Sequence, residues 1–255
     1  MAKQIHDFQV IGNKQLNNDF FIIELLCQKS LPPILPGQFV QARVDKSPAT
    51  FLRRPLSVHD ADFKKNTIKL LIQVAGKGTL SLSLLEKGDS LNLIFPLGNA
   101  FTMPRKEEKT LLIGGGCGVA PLLYLAKYLK SNGYIFDILM GFRNRDRIIE
   151  LDEYKKLGKV YLTTEDGSEG EKGFVTHHTM LDKPVYRRIY CCGPEAMMKA
   201  VAKYSGKHDI ICEVSLENLM ACGIGVCLCC VVNTVNGNVC SCTDGPVFNI
   251  NALKW

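Results

Sequence analysis

Six cysteines fall between Cys222 and Cys242, and three of them are spaced Cys222-x4-Cys227-x2-Cys230. A short loop that presents three thiolates to one inorganic centre has little conformational choice left. This is the ligand spacing of plant-type [2Fe–2S] centres, which take four thiolates, three of them from one loop. Gly223 and Gly225 allow the tight backbone that aims amides at sulfur. The fourth thiolate must come from downstream, from Cys240 or Cys242. Cys229 breaks the x2 spacing and reads as a non-ligand. Structural zinc also takes four thiolates, but usually as two close pairs, a poorer match. Disulfides are the third reading. The first ten residues carry an acid and no apolar segment of a secretory signal, so eleven cysteines point to a reducing, cytoplasmic setting.

At 255 residues the chain exceeds the usual single-domain size. Its formal charge of +6 is dispersed among acids, with no basic run that suggests nucleic acid. The uncharged stretches 110–126 and 218–243 are interrupted by Gly, Pro or Asn and do not read as membrane spans. Residues 20–26, 38–44, 68–74 and 90–95 are short β-rich runs between turn formers, with one short helix expected near 79–85. They predict an N-terminal antiparallel β-barrel over residues 1–104. Beyond it, strands at 110–113, 136–141, 159–164 and 188–193 alternate with helical stretches such as 121–130. That alternation predicts a parallel-sheet α/β domain over 105–209, followed by a small cysteine-rich module over 210–255.

Four further segments carry chemistry. Arg53-Arg54-Pro55-Leu56-Ser57 offers a planar donor fork and a hydroxyl suited to phosphate. Taken alone it reads as a solvated β-edge turn. Gly76-Lys77-Gly78-Thr79 opens a helix, and together the two can clamp a pyrophosphate. Gly114-Gly115-Gly116-Cys117-Gly118 lies between strand and helix, where nucleotide phosphates approach the backbone of an open α/β sheet. Cys192-Gly193-Pro194-Glu195 follows the last strand of that domain; by itself Cys192 reads as a small buried hydrophobe. Met197 and Met198 read as core. The five histidines form no metal-spaced set. Arg143 and Arg145 either meet a 2′-phosphate or sit in solvent. No catalytic triad or carboxylate pair stands out, so no classical catalytic residue is expected.

The Arg-Pro-x-Ser, Gly-Thr, GGG-x-GVAP and Cys-Gly-Pro-Glu segments resemble the ferredoxin–NADP reductase superfamily. The ending Cys242-Thr243-Asp244-Gly245-Pro246-Val247-Phe248 narrows this. It resembles the electron-transfer subunits of NAD-dependent (class 1B) dihydroorotate dehydrogenases. The resemblance implies FAD held by Arg54, Pro55, Leu56 and Ser57, by Leu71, Ile72 and Gln73, and by Gly78 and Thr79. It implies NAD against Gly114, Gly115, Gly116 and Gly118 and against Cys192, Gly193, Pro194 and Glu195. It implies a [2Fe–2S] cluster on Cys222, Cys227, Cys230 and Cys242. The partner implied is an FMN-containing catalytic subunit, in a two-plus-two heterotetramer. The partner would oxidise dihydroorotate, and electrons would reach NAD⁺ through cluster and FAD in pyrimidine biosynthesis. Two other functions use the same residues: a reductase running from NAD(P)H to an oxygenase or ferredoxin, and a non-enzymatic zinc module.

Overall fold

The computed structural model describes residues 3–45, 47 and 50–255. The first described strand, β1 (Gln4–Gln15), is absent from the sequence expectation. Its signal was the alternation of exposed residues with buried Phe8 and Val10. β2 (Phe20–Cys27), β3 (Phe39–Ala42), β4 (Arg54–Ser57), β5 (Asp60–Asp62), β6 (Thr67–Gln73) and β7 (Ser90–Leu97) complete an antiparallel sheet, with α1 (Lys77–Ser83) between β6 and β7. The strand order is β4-β3-β7-β1-β2-β6-β5, a half-barrel that curls around one core. Along β2, Phe21, Ile23, Leu25 and Cys27 point into that core beside Ile68, Leu70 and Ile72 of β6. Each such side chain contributes about 1.5–3 kcal/mol on burial. Arg54-Pro55-Leu56-Ser57, expected at a β-edge turn, forms the edge strand β4 itself.

The second sheet has the order β11-β10-β9-β8-β12-β13-β16. Its strands are β8 (Thr110–Gly115), β9 (Phe136–Phe142), β10 (Lys159–Thr164), β11 (Glu171–Lys172), β12 (Arg188–Cys192), β13 (Ile211–Ser215) and β16 (Val247–Asn249). All pair in parallel except β16, which runs antiparallel to β13. The helices are α2 (Ala120–Ser131), α3 (Leu151–Lys155) and α4 (Glu195–Lys207). The strand pattern does not stop near residue 210 as the sequence suggested. β13 continues the sheet beside β12, and β16 returns to it from the far side of the cysteine-rich segment. Between them lies a hairpin of β14 (Val231–Thr234) and β15 (Gly237–Cys240).

The two sheets are joined by packing and polar contacts. Phe20 and Leu71, on the outer face of the half-barrel, belong to the same apolar cluster as Leu122 and Leu123 of α2. The buried His59 donates from Nδ1 to the Ala120 carbonyl at 2.8 Å, and its Nε2 faces Glu150 Oε2 at 3.3 Å. Glu150 is held there in left-handed backbone at φ 57°. Tyr124 donates to the Ile34 carbonyl at 2.8 Å. Replacing His59 with leucine strands a buried carboxylate and a carbonyl. Urea denaturation should show a loss of about 2–4 kcal/mol, whereas replacement of the exposed His177 should change little.

Candidate functional site

Arg54, the first residue of the edge strand, and Arg53 just before it have separate tasks. Arg53 is tied into the sheet: its guanidinium donates to the carbonyls of Gln41 and Asn92 at 3.1 Å and to Asn92 Oδ1 at 2.6 Å. Arg54 instead reaches the glycine turn before α1. A Cβ on Gly78 would stand 2.7 Å from Arg54 Nε, so glycine is needed for the close approach. The Thr79 hydroxyl accepts from the N–H groups of Ala75 (2.8 Å) and Gly76 (3.2 Å) and shapes that turn. Guanidinium and the amides of the first turn of α1 thus converge as donors, a chemistry that fits a pyrophosphate. Ser57 lies on the same edge strand, and Leu71, Ile72 and Gln73 on β6. Leu71 and Ile72 are buried.

The nucleotide segments meet across the second sheet. Chain order reverses between β8 and β12, which places their carboxyl ends on either side of a crevice. Gly114, Gly115 and Gly118 are needed for packing: added Cβ atoms would fall 2.9 Å from Val119 Cγ1, 2.4 Å from Met197 Sδ and 2.2 Å from the Cys192 carbonyl oxygen. Gly116 differs. It has φ 53° and no atom within 4 Å of an added Cβ, so it borders open space. Pro194 and Glu195 begin α4, and Glu195 pairs with Lys199 at 2.7 Å. Met197, expected as core, is only partly buried, over Gly115.

Cys117 and Cys192 stand where the two halves meet. The backbone of Gln73, at the end of β6, hydrogen-bonds the Cys117 thiol, so the half-barrel touches the glycine loop there. Burial pushes Cys117 up to about 12 and holds Cys192 well above its ordinary value, so both are neutral thiols. Cys192 donates to Glu217 Oε1 at 3.8 Å. Glu217 is solvent-accessible as a residue, yet the protein atoms crowded around its carboxyl raise its pKa. Glu217 escaped sequence reasoning because no motif surrounds it. A cleft of about 700 Å³ elsewhere, lined in part by Lys109, Tyr161, His178 and Tyr186, contains none of the expected cofactor residues.

The cysteine module is packed on the half-barrel. Phe39 of β3 and Leu97 of β7 share a cluster with Met220, Cys230, Cys240 and Cys242. Gly223 and Gly225 take φ of 70° and 88°, the left-handed backbone that favours glycine. The loop they shape turns the amides of Ile224, Val226 and Cys227 onto Cys222 Sγ, each at 3.4 Å. Burial alone would raise the Cys222 thiol; these amides outweigh it and bring it down to about 6. The Cys222 amide in turn donates to Cys227 Sγ at 3.5 Å. Burial likewise opposes ionisation of Cys230, and hydrogen bonds from the Cys242 side chain and backbone overcome it. Burial and the Cys230 contact push Cys242 up to about 12. Thiols this crowded cannot all ionise without a cation, and amide-stabilised sulfur suits a metal–thiolate centre. Among the described residues no three His, Cys, Asp or Glu side chains converge on a single ion position. A two-iron rhomb needs only two thiolates per iron; Cys222 contacts Cys227, and Cys230 contacts both Cys242 and Cys240. The expected ligands therefore fit the group. Exposed Cys229 makes none of these contacts.

Residues 217–254 match the iron–sulfur cluster binding domain of dihydroorotate dehydrogenase B, and residues 112–203 match the oxidoreductase NAD-binding domain. The chain is 38% identical over 246 residues to the dihydroorotate dehydrogenase B (NAD(+)) electron transfer subunit of Caldanaerobacter subterraneus subsp. tengcongensis, covering 94% of each. It is 42% identical over 217 residues to the subunit of that name from Clostridium acetobutylicum, covering 84% of each. Among solved structures it resembles the NADH-dependent reduced ferredoxin-NADP oxidoreductase, with a TM-score of 0.87, 29% identity, and coverage of 97% of this chain and 90% of that one.

Proposed function

The chain belongs to the dihydroorotate dehydrogenase B (NAD(+)) electron transfer subunits, and from that premise we propose how its own residues carry electrons to NAD⁺. The subunit is an oxidoreductase that works with a catalytic partner and uses a [2Fe–2S] centre, FAD and NAD. In the overall reaction dihydroorotate gives up two electrons and two protons, NAD⁺ takes a hydride, and one proton is released; an FMN in the partner would receive the electrons first. When bound, FAD converts the single electrons of an iron–sulfur centre into the pair that a hydride requires.

The chain's part is position and exclusion of water. Arg54 and the turn at Gly78 hold the FAD pyrophosphate, and the backbone of residues 71–73 lines the flavin. Gly116 borders the NAD phosphates, and the partly accessible neutral thiol Cys117 flanks the nicotinamide, with the buried thiol Cys192 packed at the end of β12. Cys222, Cys227, Cys230 and Cys242 hold the cluster. The observation that carries this reading is contiguity. The cysteine module lies on β3 of the half-barrel, and β6 of the same half-barrel touches the nucleotide loop at Cys117. We assign residues 1–104 to FAD and 105–209 to NAD. The cluster module of 210–255 then keeps its two flanking strands in the NAD sheet. Arg145 pairs with Glu169 on the surface through Nε at 3.1 Å and Nη2 at 2.9 Å; the choice of NAD rests on the family.

Leu219, Val226 and Leu228 are 87%, 75% and 63% exposed around the cluster loop, an apolar patch that supports docking of the catalytic subunit there. A two-plus-two heterotetramer in the cytoplasm completes the proposal. No helix among the described residues is long and apolar enough to cross a membrane. The test is anaerobic titration of the purified complex with dihydroorotate. Flavin and cluster absorbance should bleach, and NAD⁺ should restore it; bands that stay unbleached would rule the reading out. Arg54→Ala should weaken FAD retention roughly 10–100-fold, the worth of one or two charge-assisted hydrogen bonds, as read by equilibrium dialysis of the flavin.

A further inference from the structure

Gln41 lies on β3 with 0% of its surface exposed, and neither polar atom of its carboxamide has a hydrogen-bond partner among the described residues. Leaving such a group unpaired is unfavourable, and native proteins leave few of them. Gln38 shows the contrast: its Nε2 donates to the Gly98 carbonyl and its Oε1 accepts from the Leu35 N–H, both at 2.9 Å. Gln41 shares a strand face with Phe39, the face that packs on the cysteine module. Its amide is pressed against the loop that carries the first ligand. A Cβ on Gly223 would fall 2.5 Å from Gln41 Cγ and 2.6 Å from Nε2. The carboxamide thus ends beside a loop that already directs three amides at Cys222 Sγ. Thiolate and sulfide sulfurs only accept hydrogen bonds, and Gln41 Nε2 has two protons to give.

We propose that the Gln41 carboxamide donates a hydrogen bond to a sulfur of the [2Fe–2S] centre and so raises its reduction potential. The proposal rests on the assignment of that centre to Cys222, Cys227, Cys230 and Cys242. Reduction adds negative charge to the cluster, so a donor stabilises the reduced form more than the oxidised one. Gln41 is then a tuning residue. It touches no substrate, but it sets how readily the cluster accepts an electron from the partner and how readily it yields one to the flavin.

The test uses the holo complex. Gln41→Met keeps an unbranched side chain of similar length and removes both polar atoms. An EPR-monitored redox titration should show the equilibrium constant for cluster reduction falling about tenfold, which is 59 mV for one electron, with the FAD potential unmoved. An unchanged cluster potential in the loaded variant overturns the proposal. So does a shift confined to the flavin, which would assign the amide to FAD. If the variant does not retain its cluster, the decision passes to the wild type labelled with ¹⁵N in the glutamine side chain. Pulsed EPR of its reduced cluster should show a weakly coupled ¹⁵N nucleus that is absent from unlabelled protein, and its absence overturns the proposal. A wild-type complex with no paramagnetic signal after reduction removes the cluster assignment itself, an outcome distinct from a loaded cluster that ignores Gln41.

Discussion

Cys242→Ser should lower bound iron from about two atoms per chain to near zero, while Cys240→Ser should leave the cluster in place. Both thiols contact Cys230, so proximity to one ligand does not separate them. Their other neighbours do. Cys242 is completely buried, and the backbone of Gly225 hydrogen-bonds its sulfur, which ties it to the loop bearing Cys222 and Cys227. Burial and the Cys230 contact raise the Cys240 thiol as they raise Cys242, with a smaller push from Asp244, so the thiol shifts do not separate the two and the tie to Gly225 does. Asp244 also accepts from the Cys240 amide at 3.2 Å, so the carboxylate is fixed there. The measurement is iron content with the EPR signal of the reduced protein. Dihydroorotate-dependent NADH formation should fall to background in Cys242→Ser. NADH oxidation by a dye through FAD should continue, because the flavin and nucleotide residues are untouched. Cluster loss in Cys240→Ser with retention in Cys242→Ser would reverse the assignment.

The second large effect concerns Gly118. An added Cβ there would lie 2.2 Å from the Cys192 carbonyl oxygen and 2.4 Å from the Gly193 nitrogen, both backbone atoms that cannot rotate away. Gly118→Ala must push the loop after β8 off the end of β12, and these two segments form the walls of the crevice. The cost should be about 3 kcal/mol, the upper range for overpacking a tight site. That lowers the melting temperature by roughly 6–12 °C in a chain of this size. Gly116→Ala is the informative control. It meets no neighbour, so its cost is the left-handed backbone alone, about 1–2 kcal/mol. Its larger effect should fall on NAD affinity, read by titration at a temperature where the variant is folded. Equal melting temperatures for the two variants would refute the division of labour between these glycines.

Local patterns in the sequence carried much of this architecture. The strands at 159–164 and 68–74 and the helix beginning near Pro121 fall close to β10, β6 and α2, because continuous apolar runs between turn formers have few other uses. The spacing of Cys222, Cys227 and Cys230 was legible for a similar reason: ligand geometry on one loop is a local property. What stayed hidden depends on pairing over long distances. β13 follows α4 closely and sits in a chain that soon becomes cysteine-rich, so only its place beside β12 marks it as sheet. Arg53 and Arg54 are adjacent and identical in type, and only the alternation of an edge strand sends one to Asn92 and the other to Gly78. A glycine run likewise cannot announce that three members are closely packed and one borders open space. Gln41 and Glu217 carry no motif and gain meaning solely from residues about 180 and 25 positions away in the chain, Gly223 and Cys192.

The segment between β13 and β16 enters from one strand of the nucleotide sheet and leaves through the next. Asn99, just past β7, adds a third anchor by donating from Nδ2 to the Asp244 carbonyl at 2.7 Å. A redox carrier pinned at both ends cannot swing on a tether between donor and acceptor. Its throughput is then governed by a constant gap crossed by tunnelling, so thickening the medium with glycerol should slow encounters with substrate and leave internal electron hops at the same speed.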